Sequence, residues 1–352
     1  MSFDLDSLVR ENIRRLKPYS SARSEFAGSA EVFLDANENA FGSPAGDGYN
    51  RYPDPLQKEL KELVAELKSV DPSQIFVGNG SDEAIDLLFR IFCEPGRDEC
   101  IVCPPTYGMY QVSADINAVD VNEVPLTSEF QLDVPGVLSA ITPTTKLIFI
   151  CSPNNPTGNL MRRDDVIRIT KESDGIVITD EAYIDFASGE SLITELPNLP
   201  NLVVLQTFSK AWAMAGLRVG LAFASPGIIS LMNRVKPPYN VSGIAQRAVL
   251  DAFEKHRDVE AWISKTLDER SRIVTSLARF EFVLEIYPSD ANFVLVRTTD
   301  AKAIYTFLVE EKIVVRDRSN VQFCAGCLRI TIGTSEENDR LISALERFIE
   351  GA

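Results

Sequence analysis

Short apolar runs alternate with helical patterns through the middle of the chain, and this alternation limits the fold more than any other feature. Four of the runs are "QIFVGNG" (74–80), "KLIFICSP" (146–153), "GIVITDEAY" (175–183) and "LVVLQTFSK" (202–210), and the first leads into the helical pattern "SDEAIDLLFRIF". Nearly continuous apolar strands separated by helices are typical of βαβ units, whose parallel sheet is covered on both faces. The sequence therefore predicts an α/β fold with a mostly parallel central sheet flanked by helices.

The pattern changes after two consecutive prolines, Pro237 and Pro238. A charged helical stretch covers residues 243–280, and the chain beyond it mixes short strands with helices, which predicts a smaller α+β domain. The predicted organisation is an N-terminal amphipathic helix and arm (1–45) that packs on the small domain or on a partner subunit, a large α/β domain (46–240) and a small C-terminal domain (241–352).

Composition excludes several classes of protein. The chain of 352 residues is long enough for two cores, and 45% hydrophobic with 24% charged residues is ordinary for a soluble globular protein. A net charge of -16 argues against a nucleic-acid partner and against anionic membrane surfaces. The N-terminus lacks the apolar segment of a secretory signal, and no run of 18 apolar residues occurs. We therefore expect a cytoplasmic protein with no membrane partner.

Two C-x-x-C pairs raise the question of a metal site. Cys100 and Cys103 lie in a predicted strand, where residues three apart point to opposite faces, and Cys324 and Cys327 straddle a glycine before another strand. Buried, reduced thiols and no metal are the better interpretation. Because the single histidine, His256, lies in a charged helical stretch, acid–base chemistry must depend on lysine, tyrosine, aspartate or glutamate.

Polar residues cluster where the predicted strands end, which is where ligands bind in open α/β sheets. "GNGSDEA" (78–84) offers backbone N–H groups at a helix N-terminus to a phosphate, "PPTYGMY" (104–110) offers Tyr107 for stacking on a ring, and "SPNNPTGN" (152–159) offers amides. Each turn alone also has a purely structural explanation, as a helix cap, a core aromatic residue or a rigid turn.

Asp180 and Lys210 give this cluster its chemistry. A buried aspartate at a strand end needs a cationic or hydrogen-bonding partner, and a lysine in apolar surroundings has its neutral amine favoured, which suits Schiff-base chemistry. Arg218, about two helical turns beyond Lys210, is placed to clamp a phosphate, with hydroxyls from Thr207 and Ser209. Together these groups match what pyridoxal 5'-phosphate requires.

The motifs "SPNNPTG", "TDEAY" and "TFSKAWAMAGLRVG" resemble the fold-type I, aspartate-aminotransferase-like enzymes that depend on pyridoxal phosphate. Within that family, "PYSSAR", "LDANENAFG", "RYPDPLQKEL", "PPTYGMY" and "CLRITIG" resemble the histidinol-phosphate aminotransferases over essentially the whole chain. The resemblance implies transfer of an amino group from L-glutamate to imidazole acetol phosphate, giving L-histidinol phosphate and 2-oxoglutarate in histidine biosynthesis by a ping-pong mechanism.

The same resemblance assigns roles around the cofactor ring. It implies that Lys210 forms the internal aldimine and carries the proton, that Asp180 pairs with the pyridine nitrogen, that Asn155 and Tyr183 bond the ring oxygen, and that Tyr107 stacks on the ring.

At the cofactor phosphate, the resemblance implies a larger set: Gly80, Ser81, Asp82, Thr207, Ser209 and Arg218. The loop has Gly-Ser-Asp where Gly-Ala-Asp is commoner, which adds one hydroxyl. Tyr52 matches a tyrosine that reaches the phosphate from the neighbouring subunit, so the resemblance implies a homodimer.

For the substrate, the resemblance implies contacts from Tyr19, Asn37, Tyr107, Asn155, Arg316 and Arg329. Arg329 matches the arginine that binds the α-carboxylate of glutamate, and Arg316 would contact the substrate phosphate or the distal carboxylate.

Other readings share part of this pattern. An aromatic or broad-specificity aminotransferase, or a pyridoxal-phosphate-dependent decarboxylase of an amino-acid phosphate, would have the same cofactor residues. A non-catalytic cofactor-binding module of a transcription regulator would need a basic DNA-binding domain, for which the first 45 residues are too short. A nucleotide-binding α/β protein would need a complete G-x-G-x-x-G or Walker motif, which the chain lacks.

Overall fold

A seven-stranded sheet forms the centre of the larger part of the molecule, in a computed structural model that describes residues 3–19, 31–46 and 48–350. Its strands are β1 (Ile75–Asn79), β2 (Glu99–Val102), β3 (Asp120–Glu123), β4 (Thr145–Cys151), β5 (Ile176–Asp180), β6 (Leu202–Thr207) and β7 (Val219–Ala224). The spatial order is β1-β7-β6-β5-β4-β2-β3, and only β7 runs antiparallel to its neighbours. The predicted mostly parallel sheet is confirmed.

Helices cover both faces of this sheet, as the apolar character of its strands requires. They are α3 (Lys58–Lys68), α4 (Ser81–Phe92), α5 (Met109–Ile116), α6 (Val134–Ala140), α7 (Arg163–Glu172) and α8 (Pro226–Val235). Leu202 and Val204 on β6 belong to an apolar cluster with α3, α6 and α7, whereas Val203 and Leu205 belong to a second cluster with α4, α5 and α8. Alternate residues of one strand are thus buried on opposite sides, which explains the unbroken apolar runs.

A four-stranded antiparallel sheet organises the C-terminal part. Its strands are β8 (Val283–Ile286), β9 (Phe293–Thr298), β10 (Arg316–Asp317) and β11 (Cys327–Thr331), in the order β10-β11-β9-β8. The accompanying helices are α9 (Gly243–Phe253), α10 (His256–Leu277), α11 (Ala301–Glu310) and α12 (Ser335–Glu350). This second sheet with its helices confirms the predicted α+β part.

The predicted helical stretch 243–280 is two helices, because the chain turns between α9 and α10. Helix α9 packs on α3 of the larger part, and the Gln246 amide donates a hydrogen bond to the carbonyl of Asp54 at 3.2 Å. The domain boundary at residue 240 stays a prediction.

The N-terminal segment differs from its prediction in two respects. The single amphipathic helix is replaced by two four-residue helices, α1 (Leu5–Leu8) and α2 (Glu11–Arg14). Val9 and Ile13 are buried in the apolar cluster of α4 and α8, and the Arg10 amide donates to the carbonyl of Ile91 at 3.0 Å. The described start of the arm therefore packs on the large domain, whereas the prediction named the small domain or a partner subunit; the packing of the rest of the arm stays a prediction.

The six cysteines are buried and have free thiols. Cys100 lies in the cluster of α4 and Cys103 in the cluster of α3, on opposite faces of the sheet. Within residues 3–19, 31–46 and 48–350, no group of three or more His, Cys, Asp or Glu side chains could hold a metal ion. No helix in the same ranges combines the length and the apolar character that a membrane span requires.

Gly220 allows β7 to pass very close to the turn that follows β1. A Cβ atom at Gly220 would lie 2.2 Å from the Ser81 nitrogen and 2.3 Å from the carbonyl carbon of Gly80. Both neighbours are backbone atoms, so no side-chain rotation could relieve the overlap. This close approach fixes the start of α4 against the end of the sheet.

We expect Gly220→Ala to lower the free energy of unfolding by at least about 1–3 kcal/mol, because the added methyl group forces backbone atoms apart. The measurement is the midpoint of urea unfolding at a fixed protein concentration. Gly216→Ala is the matched control, since no heavy atom lies within 4 Å of a Cβ built there. Equal midpoints for the two variants would contradict the close-approach argument.

Candidate active site

A cavity of about 710 Å³ opens where β4, β5 and β6 end, between the start of α4 and the strands β10 and β11. Most of the predicted site residues line it: Gly80, Ser81, Asp82, Tyr107, Asn155, Asp180, Tyr183, Thr207, Ser209, Lys210, Arg218, Arg316 and Arg329. Residues far apart in sequence meet here because parallel strands present their carboxyl ends at one edge of the sheet.

Asp180 ends β5 and is 3% exposed. The Tyr110 hydroxyl donates to its Oδ2 atom at 2.8 Å, and the Ala182 amide donates to its Oδ1 atom at 3.1 Å. Burial is the main cause of a pKa raised to about 6; these two hydrogen bonds and Lys210 lower the pKa, whereas Asp82 raises it. The carboxylate is therefore mostly ionised at neutral pH while its charge is only partly compensated, which suits a cationic partner.

Tyr110 is a buried partner of Asp180 that was not among the predicted site residues. It is completely buried, stacks on Phe149 with ring centroids 4.8 Å apart, and meets Tyr107 edge to face at 5.6 Å. Burial and the nearby Asp180 raise the pKa of Tyr110 well above its ordinary value, so its hydroxyl stays a donor to that carboxylate. The only signal in the sequence was the second tyrosine of "PPTYGMY", which a core aromatic explains equally well.

Lys210 lies in the turn that follows β6, and its amine is 5.4 Å from the centroid of the Tyr183 ring. Its side chain is accessible through the cavity, yet the protein around it still removes enough water to lower the pKa of the amine. The positive charges of Arg329 and Arg218 lower this pKa further, whereas Asp180 raises it. The lowered pKa therefore arises from neighbouring cations as well as from desolvation.

The segment between Lys210 and Arg218 is not a helix, contrary to the expected spacing of two helical turns. It forms successive turns and a single 3-10 turn over Ala215–Leu217, and Arg218 itself has a left-handed backbone with φ 56°. The Phe208 amide donates to the carbonyl of Val219 at 3.1 Å and closes this loop at its base. Arg218 thus returns to the cavity because the chain reverses into β7.

The start of α4 and Arg218 form one end of the cavity. Gly80 occupies the N-cap position with φ 77°, so no side chain caps the first amides of the helix. Arg218 Nη2 lies 3.3 Å from Asp82 Oδ2, and the Tyr107 hydroxyl donates to Asp82 Oδ1 at 3.2 Å. A Cβ atom at Gly80 would lie 2.7 Å from Arg218 Nη2. Free helix amides beside an arginine are suited to an anion such as phosphate.

Two hydroxyls lie at the base of this end. Thr207 Oγ1 donates to Ser209 Oγ at 3.0 Å and accepts from the Ser209 amide at 3.1 Å. Both residues line the cavity, so their remaining hydrogen-bonding capacity faces the same space as Arg218.

Arginines of the smaller sheet form the opposite end. Arg329 Nη1 donates to the side-chain oxygen of Asn155, and its guanidinium carbon lies 5.2 Å from the centroid of the Phe293 ring. Arg316 pairs in register with Arg329 across β10 and β11. Arg318, which was not predicted as a site residue, also lines the cavity.

Three predicted residues do not line the cavity of their own chain. Tyr19 is 76% exposed, Asn37 is exposed with φ 53°, and Tyr52 is 51% exposed and stacks on Tyr239 with ring centroids 4.4 Å apart. All three belong to irregular stretches on the surface. Their assignment to cofactor or substrate contacts stays a prediction.

An ionised carboxylate, an amine whose pKa is lowered and two separate anion-binding ends are characteristic of an α/β enzyme that handles anionic, amine-reactive ligands. The family model for aminotransferases of class I and II matches residues 25–345, nearly the whole chain. The chain belongs to this aminotransferase family.

Named relatives agree with the family. The histidinol-phosphate aminotransferase of Cytophaga hutchinsonii is 53% identical, over 99% of this chain and 100% of its own length. Among solved structures, the histidinol-phosphate aminotransferase of Sinorhizobium meliloti in complex with pyridoxal-5'-phosphate has a TM-score of 0.80 at 25% identity and covers 90% of both chains. The L-threonine-O-3-phosphate decarboxylase of Porphyromonas gingivalis has a TM-score of 0.72 at 26% identity, over 86% of this chain and 91% of its own.

Asp180 generates a pH-dependent prediction. Because its folded-state pKa of about 6 lies above the ordinary value of 3.8, the folded protein holds a proton that the unfolded chain has already lost between these pH values. Its contribution to stability therefore falls as the pH rises from about 4 to about 6. We expect the free energy of unfolding of ligand-free Asp180→Asn, relative to the unaltered protein, to increase across this window by about 2–3 kcal/mol and then to level off.

Urea titrations at several pH values measure this difference. Asp174→Asn, which removes a carboxyl group at an exposed position, is the control. A pH-independent difference for Asp180→Asn would show that its carboxyl group is not strained by burial.

Proposed function

We propose that the protein is a pyridoxal-phosphate-dependent aminotransferase that transfers the amino group of L-glutamate to imidazole acetol phosphate, giving L-histidinol phosphate and 2-oxoglutarate. The observation that carries the proposal is the position of Lys210 between the two anion-binding ends: both Arg218 at one end and Arg329 at the other lower the pKa of its amine. A reactive amine there can reach a cofactor held at one end and a substrate held at the other.

The residues at the end of the cavity formed by α4 and Arg218 fit pyridoxal phosphate. The uncapped amides of α4, the guanidinium of Arg218 and the hydroxyls of Thr207 and Ser209 would hold its phosphate. Asp180, ionised and incompletely compensated, would hold the protonated pyridine nitrogen. When bound, the cofactor supplies an electron sink that weakens the bond between the substrate Cα and its hydrogen.

The chain itself must then move a proton. Because burial and neighbouring arginines lower the pKa of Lys210, more of its amine is neutral near pH 7 and can accept a proton from the substrate Cα and return it elsewhere. The Tyr183 hydroxyl keeps its own proton, since burial raises the pKa of Tyr183. It can donate a hydrogen bond to an oxygen of the bound ligand without competing as a base.

The opposite end of the cavity, with Arg329, fits an amino acid or oxo acid that carries a further anionic group. Arg329, held by Asn155, would bind the α-carboxylate of glutamate or 2-oxoglutarate as a bidentate partner. The remaining arginines would accept the distal anion. A relative named histidinol-phosphate aminotransferase is 53% identical over nearly the whole chain, whereas the L-threonine-O-3-phosphate decarboxylase is 26% identical. This difference favours histidinol phosphate over threonine phosphate as the substrate.

A homodimer in the cytoplasm completes the proposal. The described arm and the segment beyond it expose large apolar side chains that a partner subunit could cover: Val32, Leu34, Phe41, Tyr49 and Tyr52. Tyr52, which does not line the cavity of its own chain, would reach the cofactor phosphate of the partner. Six unpaired thiols are compatible with a reducing compartment.

The proposed role of Lys210 has a direct chemical test. Borohydride should attach pyridoxal phosphate covalently to the unaltered protein, so that the cofactor becomes a label. The same protein should transfer the amino group of histidinol phosphate to 2-oxoglutarate. Lys210→Ala should lose the label, and its rate should fall by about 10²–10⁴-fold or more, because the general base is gone. Lys171→Ala, an exposed lysine of α7, is the control. Labelling of Lys210→Ala at the same site would contradict the assignment. Release of carbon dioxide from L-threonine-O-3-phosphate, with no amino transfer from histidinol phosphate, would favour a decarboxylase.

The contribution of Tyr52 across the dimer predicts the behaviour of mixed subunits. A heterodimer of Lys210→Ala and Tyr52→Ala chains would contain one site with both alterations and one site with neither. We expect purified heterodimers to regain about half of the activity of the unaltered dimer, because one of their two sites is intact. If Tyr52 served its own chain, each site would keep one defect and no activity would be regained.

A further inference from the structure

In the described part of the chain, two cavity arginines, Arg318 and Arg329, have an Nε atom that is buried without a hydrogen-bond partner. Arg329 is held by Asn155 through its Nη1 atom. Arg318 lines the cavity two residues beyond Arg316. In residues 3–19, 31–46 and 48–350, its guanidinium makes no ion pair with a carboxylate. A buried donor without a partner is uncommon in folded proteins and points to a ligand atom at that position.

The local backbone explains why the arginines face the cavity together. Arg316 begins the two-residue strand β10 and Arg318 follows directly after that strand; both line the cavity, whereas Asp317 between them does not. Asp317 Oδ1 accepts hydrogen bonds from the amide and hydroxyl of Ser319 at 2.8 Å and 2.6 Å. The one carboxylate of this segment is therefore engaged elsewhere.

The resulting cluster of positive charge is under electrostatic strain. Burial lowers the pKa of Arg318, and the charges of Arg329 and Arg316 lower it further. Burial also lowers the pKa of Arg329; Tyr183 raises this pKa and the charge of Arg316 lowers it. At the other end of the cavity, by contrast, Arg218 has the carboxylate of Asp82 at 3.3 Å. An anion that enters beside Arg318 would relieve this repulsion.

We propose that Arg318 is a specificity-determining residue that binds the phosphate of histidinol phosphate together with Arg316, whereas Arg329 serves the α-carboxylate of glutamate, a group that histidinol phosphate lacks. This inference rests on the proposed function, since it concerns the substrate end of the same cavity. The sequence indicated Arg316 as a substrate contact. The structure adds Arg318, which the sequence did not indicate.

Charge matching favours a phosphate over a carboxylate at this position. A phosphate monoester carries between one and two negative charges near pH 7 and offers three acceptor oxygens, whereas a distal carboxylate carries one charge and two oxygens. Two guanidinium groups supply two positive charges and can each bind two oxygens in a fork. Arg318 should therefore contribute more to a phosphorylated substrate than to glutamate.

The experiment compares two amino donors that differ only in the phosphate, histidinol phosphate and histidinol, in single-turnover reactions of the holoenzyme. Arg318→Gln should lower kcat/KM for histidinol phosphate by about 30-fold or more, the loss expected when a charged hydrogen-bonding partner is removed. For histidinol the change should stay within about threefold. Arg318→Lys, which keeps the charge but not the fork, should fall between the two.

Arg297→Gln is the matched control, because Arg297 lies on the neighbouring strand β9, away from the cavity, in an exposed ion pair with Glu285. It should keep the ratio of the two kcat/KM values within about twofold of the unaltered enzyme. Borohydride labelling of Lys210 in every variant, together with an unchanged urea midpoint, verifies that the cofactor end is intact.

Each outcome decides one point. An equal loss for both donors in Arg318→Gln would make Arg318 a positioning residue and overturn the inference. Glutamate is measured as a third amino donor; an equal loss of kcat/KM for glutamate and histidinol phosphate would show a general anion contact and overturn the phosphate assignment. If the unaltered enzyme itself failed to prefer histidinol phosphate over histidinol, the proposed function would fail, and this result is visible before any variant is made.

Discussion

The burial of the Asp180 carboxylate is the constraint on which the rest of the site depends. Strand β5 lies in the middle of the sheet with both faces covered, so the aspartate at its end has little access to water. Tyr110 and the amide of Ala182 stabilise the charged form, and the pKa of Asp180 nevertheless lies near 6. Further positive charge is needed to compensate the carboxylate fully, and Lys210 provides part of it from the end of the adjacent strand.

The sheet brings these groups together with little freedom. Strands β5 and β6 pair in parallel, so Asp180 and the turn that carries Lys210 emerge side by side. Strand β7 then runs back antiparallel, and Gly220 lets it approach the Gly80–Ser81 turn closely enough to bring Arg218 to the first amides of α4. The anion-binding end is therefore held by backbone contacts of the fold itself.

The sequence predicted the strands well because burial on both faces leaves unbroken apolar runs, as in β5 and β6. It also located most cavity residues, because several polar turns follow predicted strands in the same chain, although each turn alone has a structural explanation. Prediction failed where three-dimensional packing decides. The N-terminal pattern did not reveal that the helix breaks near Val9, and the spacing of Lys210 and Arg218 suggested a helix where turns occur.

Tyr110 and Arg318 escaped prediction for a related reason. A tyrosine in a core helix and an arginine after a short edge strand are both common. In neither case does the residue type alone indicate the hydrogen-bond partner. Only the fold places the hydroxyl of Tyr110 2.8 Å from Asp180 Oδ2 and leaves the Nε atom of Arg318 buried without a partner. In both cases a buried hydrogen-bonding group indicates the role of the residue, and the partner of that group depends on residues distant in the chain.

The charge of the whole molecule and the charge of its cavity have opposite signs, and distance decides which one an anionic ligand experiences. The net charge of -16 is spread over the chain, and at physiological salt its field is screened within about 8 Å. Inside the cavity Arg316, Arg318 and Arg329 act at short range and in a less polar environment, where charge interactions are screened much less. An acidic enzyme can therefore bind anionic substrates, provided that those arginines are not neutralised by its own carboxylates. The hydrogen bonds that hold Asp317 against Ser319 meet this condition for Arg318.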